Sequence, residues 1–246
     1  MFEIRNDILK PARYIGIEPN RVMKNLHDVE VRIALCYPDV YEIGMSYLGH
    51  FLLYEIANNI EGIWCERCFA PWTDFENYLR ERGNPLCTLE SRTPLAAMDF
   101  VGFSLTYELN VTNMLNMLDL GGIPLHSQDR EKGAIVIGGG PLMLNPKQFE
   151  PYLDLIVVGE ADSVLVKILK AMRLLKGLPR ADVIKELSRF EGVYSPLFPK
   201  NTVSRQYIPD LDKSYHPVHP PIPTVESIHN RLNVEISRGC GNGCRF

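Results

Sequence analysis

The sequence predicts an α/β protein built on a doubly wound, mostly parallel sheet, and three observations support this fold class. Short apolar segments alternate with segments of helical periodicity from Val31 onward. The apolar segments are nearly continuous, as in strands that are buried on both faces. Two of them end at glycine, which suits strands whose carboxyl ends face a ligand or a close turn.

The elements follow one another in βα order. Pro38 ends the first strand, and the helix after it carries apolar residues on one face from Leu48 to Ile60. Further helices are predicted over 74–82, around Val111 to Leu118, and around Val164 to Met172. The predicted strands cover residues 31–37, 63–69, 100–105, 134–137 and 153–158.

The chain divides into four predicted parts. Residues 1–30 form an N-terminal extension and residues 31–195 form the α/β domain. Seven prolines fall between positions 196 and 223, so residues 196–231 are predicted to be a proline-rich linker rather than a packed helix. Residues 232–246 begin with a new strand pattern over 232–237 and open a further domain.

The composition limits the classes of partner and the cellular locations that we expect for this protein. Hydrophobic residues make up 46% of the chain, which is an ordinary value for a globular protein. The formal net charge of -4 gives no support for nucleic acid as a partner. The N-terminus lacks a secretory signal, no apolar stretch is long enough to span a bilayer, and the six cysteines are too few for a disulfide framework. We therefore expect a cytoplasmic protein without a membrane partner, whose thiols are free or bind metal.

The last nine residues, RGCGNGCRF, carry the most specific motif. Cys240 and Cys244 are separated by three residues on a glycine-rich segment that follows the predicted strand, and glycine lets a backbone fold closely around a metal centre. Cys65 and Cys68 have zinc-like spacing but no second ligand pair, so we do not predict a metal there. The terminal segment resembles the start of the motif of radical S-adenosylmethionine (SAM) proteins, with Phe246 in its aromatic position.

This resemblance implies a 4Fe-4S cluster on three thiolates, two of them from Cys240 and Cys244, and the third is expected at the residue after Phe246. The open iron would bind SAM, and electron transfer into SAM would release a 5'-deoxyadenosyl radical. The strand over 232–237 would then be the first of a β/α (TIM-like) barrel. The implied partners are that barrel, which lies outside these 246 residues, and an electron donor such as flavodoxin or ferredoxin, while the substrate is not readable.

The predicted carboxyl edge of the sheet carries a second set of candidates. Asp39 and Gly44 have the spacing of the cobalamin-binding loop Asp-x-His-x-x-Gly, with Tyr41 at the position of the cobalt-ligating histidine. The domain thus resembles the Rossmann-like, cobalamin-binding-like domain that precedes the barrel in a group of radical SAM proteins, and within that group an uncharacterised subfamily. The other cofactor-binding candidates at this edge are Ser104, Thr106, Gly138, Gly139, Gly140, Gly159 and Glu160.

Alternatives remain open at this point. Because tyrosine supplies no nitrogen ligand, cobalamin would bind without a lower protein ligand or would not bind at all. Gly159 and Glu160 are better explained as an ordinary tight strand-to-helix turn with an acidic first helical turn. Besides a radical SAM enzyme with a cofactor or substrate cap, the sequence allows a non-catalytic Rossmann-like module for cobalamin or a nucleotide, or a structural domain whose terminal thiols bind zinc with another chain.

Overall fold

The computed structural model describes residues 8–229 and 231–244, without the side chain of Ser163. It contains a six-stranded sheet in the order β2-β1-β3-β4-β5-β6, in which the first five strands are parallel and β6 is antiparallel to β5. This confirms the predicted Rossmann-like α/β fold class. The strands are β1 (Val31–Tyr37), β2 (Ile63–Phe69), β3 (Phe100–Ser104), β4 (Ile135–Gly139), β5 (Leu155–Val157) and β6 (Val193–Tyr194).

Helices cover both faces of the sheet, so the winding is double. Along the chain they are α1 (Tyr41–Gly44), α2 (Leu48–Asn58), α3 (Thr73–Arg82), α4 (Asn110–Leu120), α5 (Asp162–Leu175) and α6 (Arg180–Ser188). One buried core joins the sheet to α3 and α4, through residues such as Leu79 and Met117. A second core on the opposite face joins it to α2, α5 and α6, through residues such as Ile168 and Ile184.

The strands are buried on both faces of the sheet, and this holds even for β2, which lies at the edge of the sheet and pairs with β1 alone. β2 is buried along its whole length and pairs with β1 from Val31↔Ile63 to Tyr37↔Phe69. Such double-sided burial removes most of the apolar side-chain surface from water, at about 25 cal/mol for each Å². The helix α3 ends at Gly83, whose φ of 62° closes the helix in the left-handed conformation that glycine adopts without steric cost.

The N-terminal segment is tied to β2 by a buried group of charges. The guanidinium of Arg67 in β2 donates to Glu18 over 2.9 Å and to Glu90 over 2.7 Å, and the side chains of all three residues are buried. The ring of Tyr54 lies 5.4 Å from the Arg67 guanidinium. Two carboxylates therefore share one cation inside the protein, which fixes residues around position 18 against the sheet.

Residues 204–229, which we call the strap, run back over the domain instead of leaving it. The Oε2 atom of Glu55 in α2 accepts from the Tyr215 hydroxyl over 2.8 Å, and Ile222 N donates to Pro19 O over 3.0 Å. Apart from one 3-10 turn at Leu211–Lys213, the strap has no regular element, in keeping with its prolines. The predicted irregularity is present, and whether the strap also connects two domains stays a prediction.

The strand predicted over 232–237 is not confirmed. These residues pair with no strand among those that the structure describes, and the apolar side chains of Leu232, Val234 and Ile236 are exposed. A strand requires a hydrogen-bonding neighbour, and this segment has none within the described chain. Over residues 8–229 and 231–244, no helix combines the length and the apolar character needed to cross a membrane.

Candidate functional site

The strand order reverses between β1 and β3, so a crevice is expected beyond the carboxyl ends of these two strands. The chain leaves β1 toward α1 and leaves β3 toward α4, and these helices begin at the same edge of the sheet. Most of the predicted site residues follow strand ends at this edge. The sheet brings them into one row, but their side chains have different surroundings.

Asp39 and Thr106 belong to a hydrogen-bonded network across this crevice. The Asp39 carboxylate accepts from the Tyr107 hydroxyl and, over 2.8 Å, from Val40 N. Thr106 donates to Asn110 Oδ1 over 2.9 Å. Burial, followed by the nearby Asp39 carboxylate, raises the pKa of Tyr107 to about 12, so this phenol stays protonated and can donate. The network is satisfied by the protein's own groups and holds the β1 and β3 loops together.

Tyr41, at the position of the cobalt-ligating histidine, is enclosed. Its side chain is only 1% exposed, and its hydroxyl accepts from the backbone nitrogen of Thr224 in the strap over 3.2 Å. Its ring meets the ring of Phe69 edge-on, with centroids 5.4 Å apart. Gly44 lies in the same cluster, where a Cβ atom would come within 2.3 Å of Phe69. These two residues pack the edge of the core and do not line an open crevice.

Two of the three glycines at the end of β4, Gly138 and Gly140, are required by the chain's own packing. A Cβ atom on Gly138 would lie 2.4 Å from the side chain of Leu153, and one on Gly140 would lie 2.4 Å from Leu105 O. Only Gly139 faces open space, with no atom within 4 Å of the Cβ position. Ser104, which pairs with Gly139, is buried at the end of β3.

Gly140 should therefore be much less tolerant of substitution than its neighbour. Its φ of 112° is unfavourable for any residue with a Cβ, and a methyl group would also press on the Leu105 carbonyl. We expect Gly140→Ala to lower the free energy of unfolding by about 1–3 kcal/mol, measured by urea denaturation of this chain. Gly139→Ala is the matched control and should cost no more than about 1 kcal/mol. Equal effects of the two variants would contradict this assignment.

These surroundings do not fit cobalamin. The position of the lower ligand is a buried phenol under Thr224, and the spaces beside Gly138 and Gly140 are filled by Leu153 and Leu105. A corrin tail would need the room that these groups occupy. Positions 138 and 140 have no room for a side chain, but the atoms that fill the space there belong to this chain and not to a ligand.

Gly159 and Glu160 hold the strap at the carboxyl end of β5. Gly159 has a φ of 101°, and a Cβ there would lie 2.2 Å from Gln206 O. Glu160 N donates to Gln206 O over 2.9 Å, while the Glu160 carboxylate accepts from Ile208 N over 2.7 Å. The strap thus extends the sheet edge by one short parallel bridge between Gly159 and Gln206. A turn with an acidic residue is present, and it binds the protein's own backbone.

Residues 238–244, which carry Cys240 and Cys244 and which we call the cysteine segment, are attached at the same place. Arg238 lies two residues before Cys240, and its Nη1 atom donates to both Glu160 and Asp162 over 3.0 Å. Cys240 and Cys244 are themselves exposed. Within the described residues, no group of three or more His, Cys, Asp or Glu side chains is arranged to hold a metal. Phe246, the predicted aromatic residue of the motif, lies outside the described residues.

Arg238, Asp162 and Thr224 were missed from the sequence. Each acts through a contact with a residue far away in the chain, so neither periodicity nor local spacing reveals it. The one available signal was charge. Arg238 directly precedes a glycine-cysteine pair, and Glu160 and Asp162 form an acidic pair at a predicted strand end.

Comparison with known proteins gives two findings. The family model described as "Radical SAM proteins, N-terminal" matches residues 49–196, which is more than half of the chain. An uncharacterized protein of Methanocaldococcus jannaschii is 24% identical over 216 residues, which is 87% of this chain and 40% of that relative. The chain thus spans well under half the length of the curated relative it matches. The matched region contains Glu160 and Asp162 and ends before Arg238, Cys240 and Cys244.

Proposed function

Because this chain belongs to the family of N-terminal regions of radical SAM proteins, we propose that it is the N-terminal part of an enzyme that cleaves SAM at a 4Fe-4S cluster. The observation that carries the proposal is the exposed pair Cys240 and Cys244, which follows a domain of this family. In this proposal the pair supplies two cluster ligands, and a third thiolate follows Phe246 in a longer protein. The barrel and an electron donor such as flavodoxin or ferredoxin complete the system.

The donor set fits such a cluster. Cysteine thiolates are the usual ligands of iron-sulfur clusters, and three of them leave one iron open. When bound, the cluster supplies an electron to SAM, which then divides into methionine and a 5'-deoxyadenosyl radical. Cys240 and Cys244 would bind iron through deprotonated sulfur. Gly241 and Gly243 lie between them, and a Cβ on either would meet no atom within 4 Å, so the segment has room to close around a metal.

The α/β domain is proposed to serve as a cap that carries the cysteine segment and works without cobalamin. The support is the enclosed Tyr41 and the filled spaces at Gly138 and Gly140. The same observations weaken the alternative of a non-catalytic cobalamin or nucleotide module, because such a module needs open space at this edge. The substrate would be selected by parts of the protein beyond these residues.

The absence of cobalamin binding is testable. After incubation with hydroxocobalamin and gel filtration, the protein should retain no corrin absorbance. The variant Tyr41→His introduces the imidazole of the cobalamin-binding loop but creates no space for the corrin. It should not retain cobalamin either, because Thr224 and Phe69 still enclose position 41. Retention of about one corrin per chain by the unaltered protein would contradict the proposed absence of cobalamin.

The proposed function itself is tested by SAM binding to the cluster. The full-length protein should be reconstituted anaerobically with iron and sulfide, reduced, and studied by electron paramagnetic resonance. We expect the signal of a reduced four-iron cluster, and we expect its shape to change when SAM is added, because SAM would bind the open iron. A protein that assembles no cluster, or whose cluster signal is indifferent to SAM, would refute the proposal.

A further inference from the structure

Among the described residues, the guanidinium of Arg238 joins the cysteine segment to the α/β domain. Arg238 forms a fork with Glu235, from Nε over 2.9 Å and from Nη2 over 2.8 Å, and this contact is local in the chain. Its remaining nitrogen, Nη1, reaches across to Glu160 and Asp162 over 3.0 Å each. All four side chains are largely buried, with Arg238 19% and Asp162 10% exposed.

The two distant acceptors are fixed by the sheet. Glu160 follows the end of β5, and its backbone nitrogen and its carboxylate are both bonded to the strap, at Gln206 and Ile208. Asp162 is the first residue of α5, a helix of 14 residues that packs in the core. Glu160 and Asp162 are therefore held in fixed positions by the fold. The place at which Arg238 binds them determines where the segment that carries Cys240 and Cys244 begins.

The charges make Arg238 specific for this place. Three carboxylates, those of Glu160, Asp162 and Glu235, surround one cation, so without the guanidinium they would repel one another. Isolated surface ion pairs contribute little, but networks and arginine forks give geometric specificity as well as energy. A guanidinium can serve three carboxylates in one plane, which an ammonium cannot do.

We propose that Arg238 is a positioning residue, which holds the Cys240 and Cys244 segment on the carboxyl edge of the α/β domain through Glu160 and Asp162. This inference rests on the proposed function, since it assigns the domain a part in orienting the cluster ligands. The edge that the fold offers for a ligand is used to dock the protein's own cysteine segment. Gly239 alone lies between Arg238 and Cys240, and its φ of 87° sets the direction in which the chain reaches Cys240.

The contact can be trapped chemically in the full-length protein without any cluster. In the double variant Arg238→Lys with Glu235→Gln, the new ammonium can reach Glu160 or Asp162 but no longer finds the local acid. Treatment with a zero-length carbodiimide should form an amide between position 238 and residue 160 or 162, detected by mass spectrometry of the peptides. The pair Lys10 and Glu42, 3.0 Å apart, provides an internal positive control.

A different pattern of amides would show that the cysteine segment is not docked on the α/β domain. If the Lys10–Glu42 amide forms while position 238 couples to neither Glu160 nor Asp162, the segment is not held at this edge. Adding Glu160→Gln and Asp162→Asn to the double variant should abolish the amide at position 238. An amide that persists at another carboxylate in that variant would also contradict the inference.

A second measurement tests the positioning role at the cluster. Glu160 and Asp162 are 80 and 78 residues before Cys240, so their replacement can reach the cluster only through space. In the reconstituted protein, Glu160→Gln with Asp162→Asn should release iron to a chelator about tenfold faster, as outer-sphere changes at metal sites do. Glu186→Gln, which removes an exposed pair with Arg189, is the matched control and should release iron at the original rate.

The outcomes separate this inference from the proposed function. If the full-length protein binds no iron but forms the amide at position 238, the docking stands and the proposed function fails. If it holds a cluster, but iron release from the Glu160→Gln, Asp162→Asn variant is unchanged, the proposed function stands and the positioning role of Arg238 is overturned.

Discussion

Replacement of Arg67 by methionine is expected to lower the free energy of unfolding by about 3–5 kcal/mol. The guanidinium is fully buried between Glu18 and Glu90, and its removal leaves two buried carboxylates without their counterion. Burial already raises the pKa of Glu90 in spite of the nearby Arg67, so loss of the cation should favour the protonated acid. The defect should therefore become smaller as the pH is lowered. Urea denaturation of this chain at two pH values measures both effects.

Arg80→Met is the matched control for this prediction. Arg80 also contacts two carboxylates, those of Glu76 and Asp119, but its side chain is 44% exposed. Water screens such pairs, so the cost should stay below about 1 kcal/mol. If Arg67→Met is no more harmful than Arg80→Met, the charges around Arg67 do not stabilise the N-terminal segment as described.

The largest effect on cluster binding is expected from replacement of Cys240 or Cys244. In the reconstituted full-length protein, the change Cys240→Ala or Cys244→Ala should reduce iron from about four atoms per chain to near zero. The reason is that two thiolates cannot hold a cluster that needs three. Iron analysis and the visible spectrum after gel filtration measure the loss.

Cys87→Ala provides the control for the cysteine variants. Cys87 is half-buried, donates to Pro85 O, and has a pKa raised to about 11 by burial, so it is a poor thiolate ligand. This variant should keep its full complement of iron. Equal losses in Cys87→Ala and Cys244→Ala would indicate general unfolding, and retention of the cluster in Cys244→Ala would contradict the assigned ligands.

The sheet could be predicted from the sequence because its signals are local. β1 and β2 were predicted with the bounds that the structure has, since each consists mostly of apolar residues, and Pro38 closes the first. β6 was missed because two residues, Val193 and Tyr194, give no periodicity. The strand over 232–237 was predicted from its alternation, but alternation supplies no partner.

The surroundings of the candidate site could not be predicted because they come from distant parts of the chain. Spacing placed Tyr41 on a ligand edge, yet Thr224, 183 residues later, covers its hydroxyl. The sequence placed Gly138, Gly139 and Gly140 at a cofactor-binding edge, but the atoms close to Gly138 and Gly140 belong to Leu153 and Leu105. Sequence can show that a position must stay small. It does not show what fills the space.

The most direct test of the central claim is the release of 5'-deoxyadenosine from SAM by the reduced, reconstituted full-length protein. We expect 5'-deoxyadenosine and methionine in equal amounts from the unaltered protein and from Cys87→Ala, and only background amounts from Cys244→Ala. Equal release from Cys244→Ala, or no release from a protein that holds an intact four-iron cluster, would contradict the assignment of this chain to a SAM-cleaving enzyme.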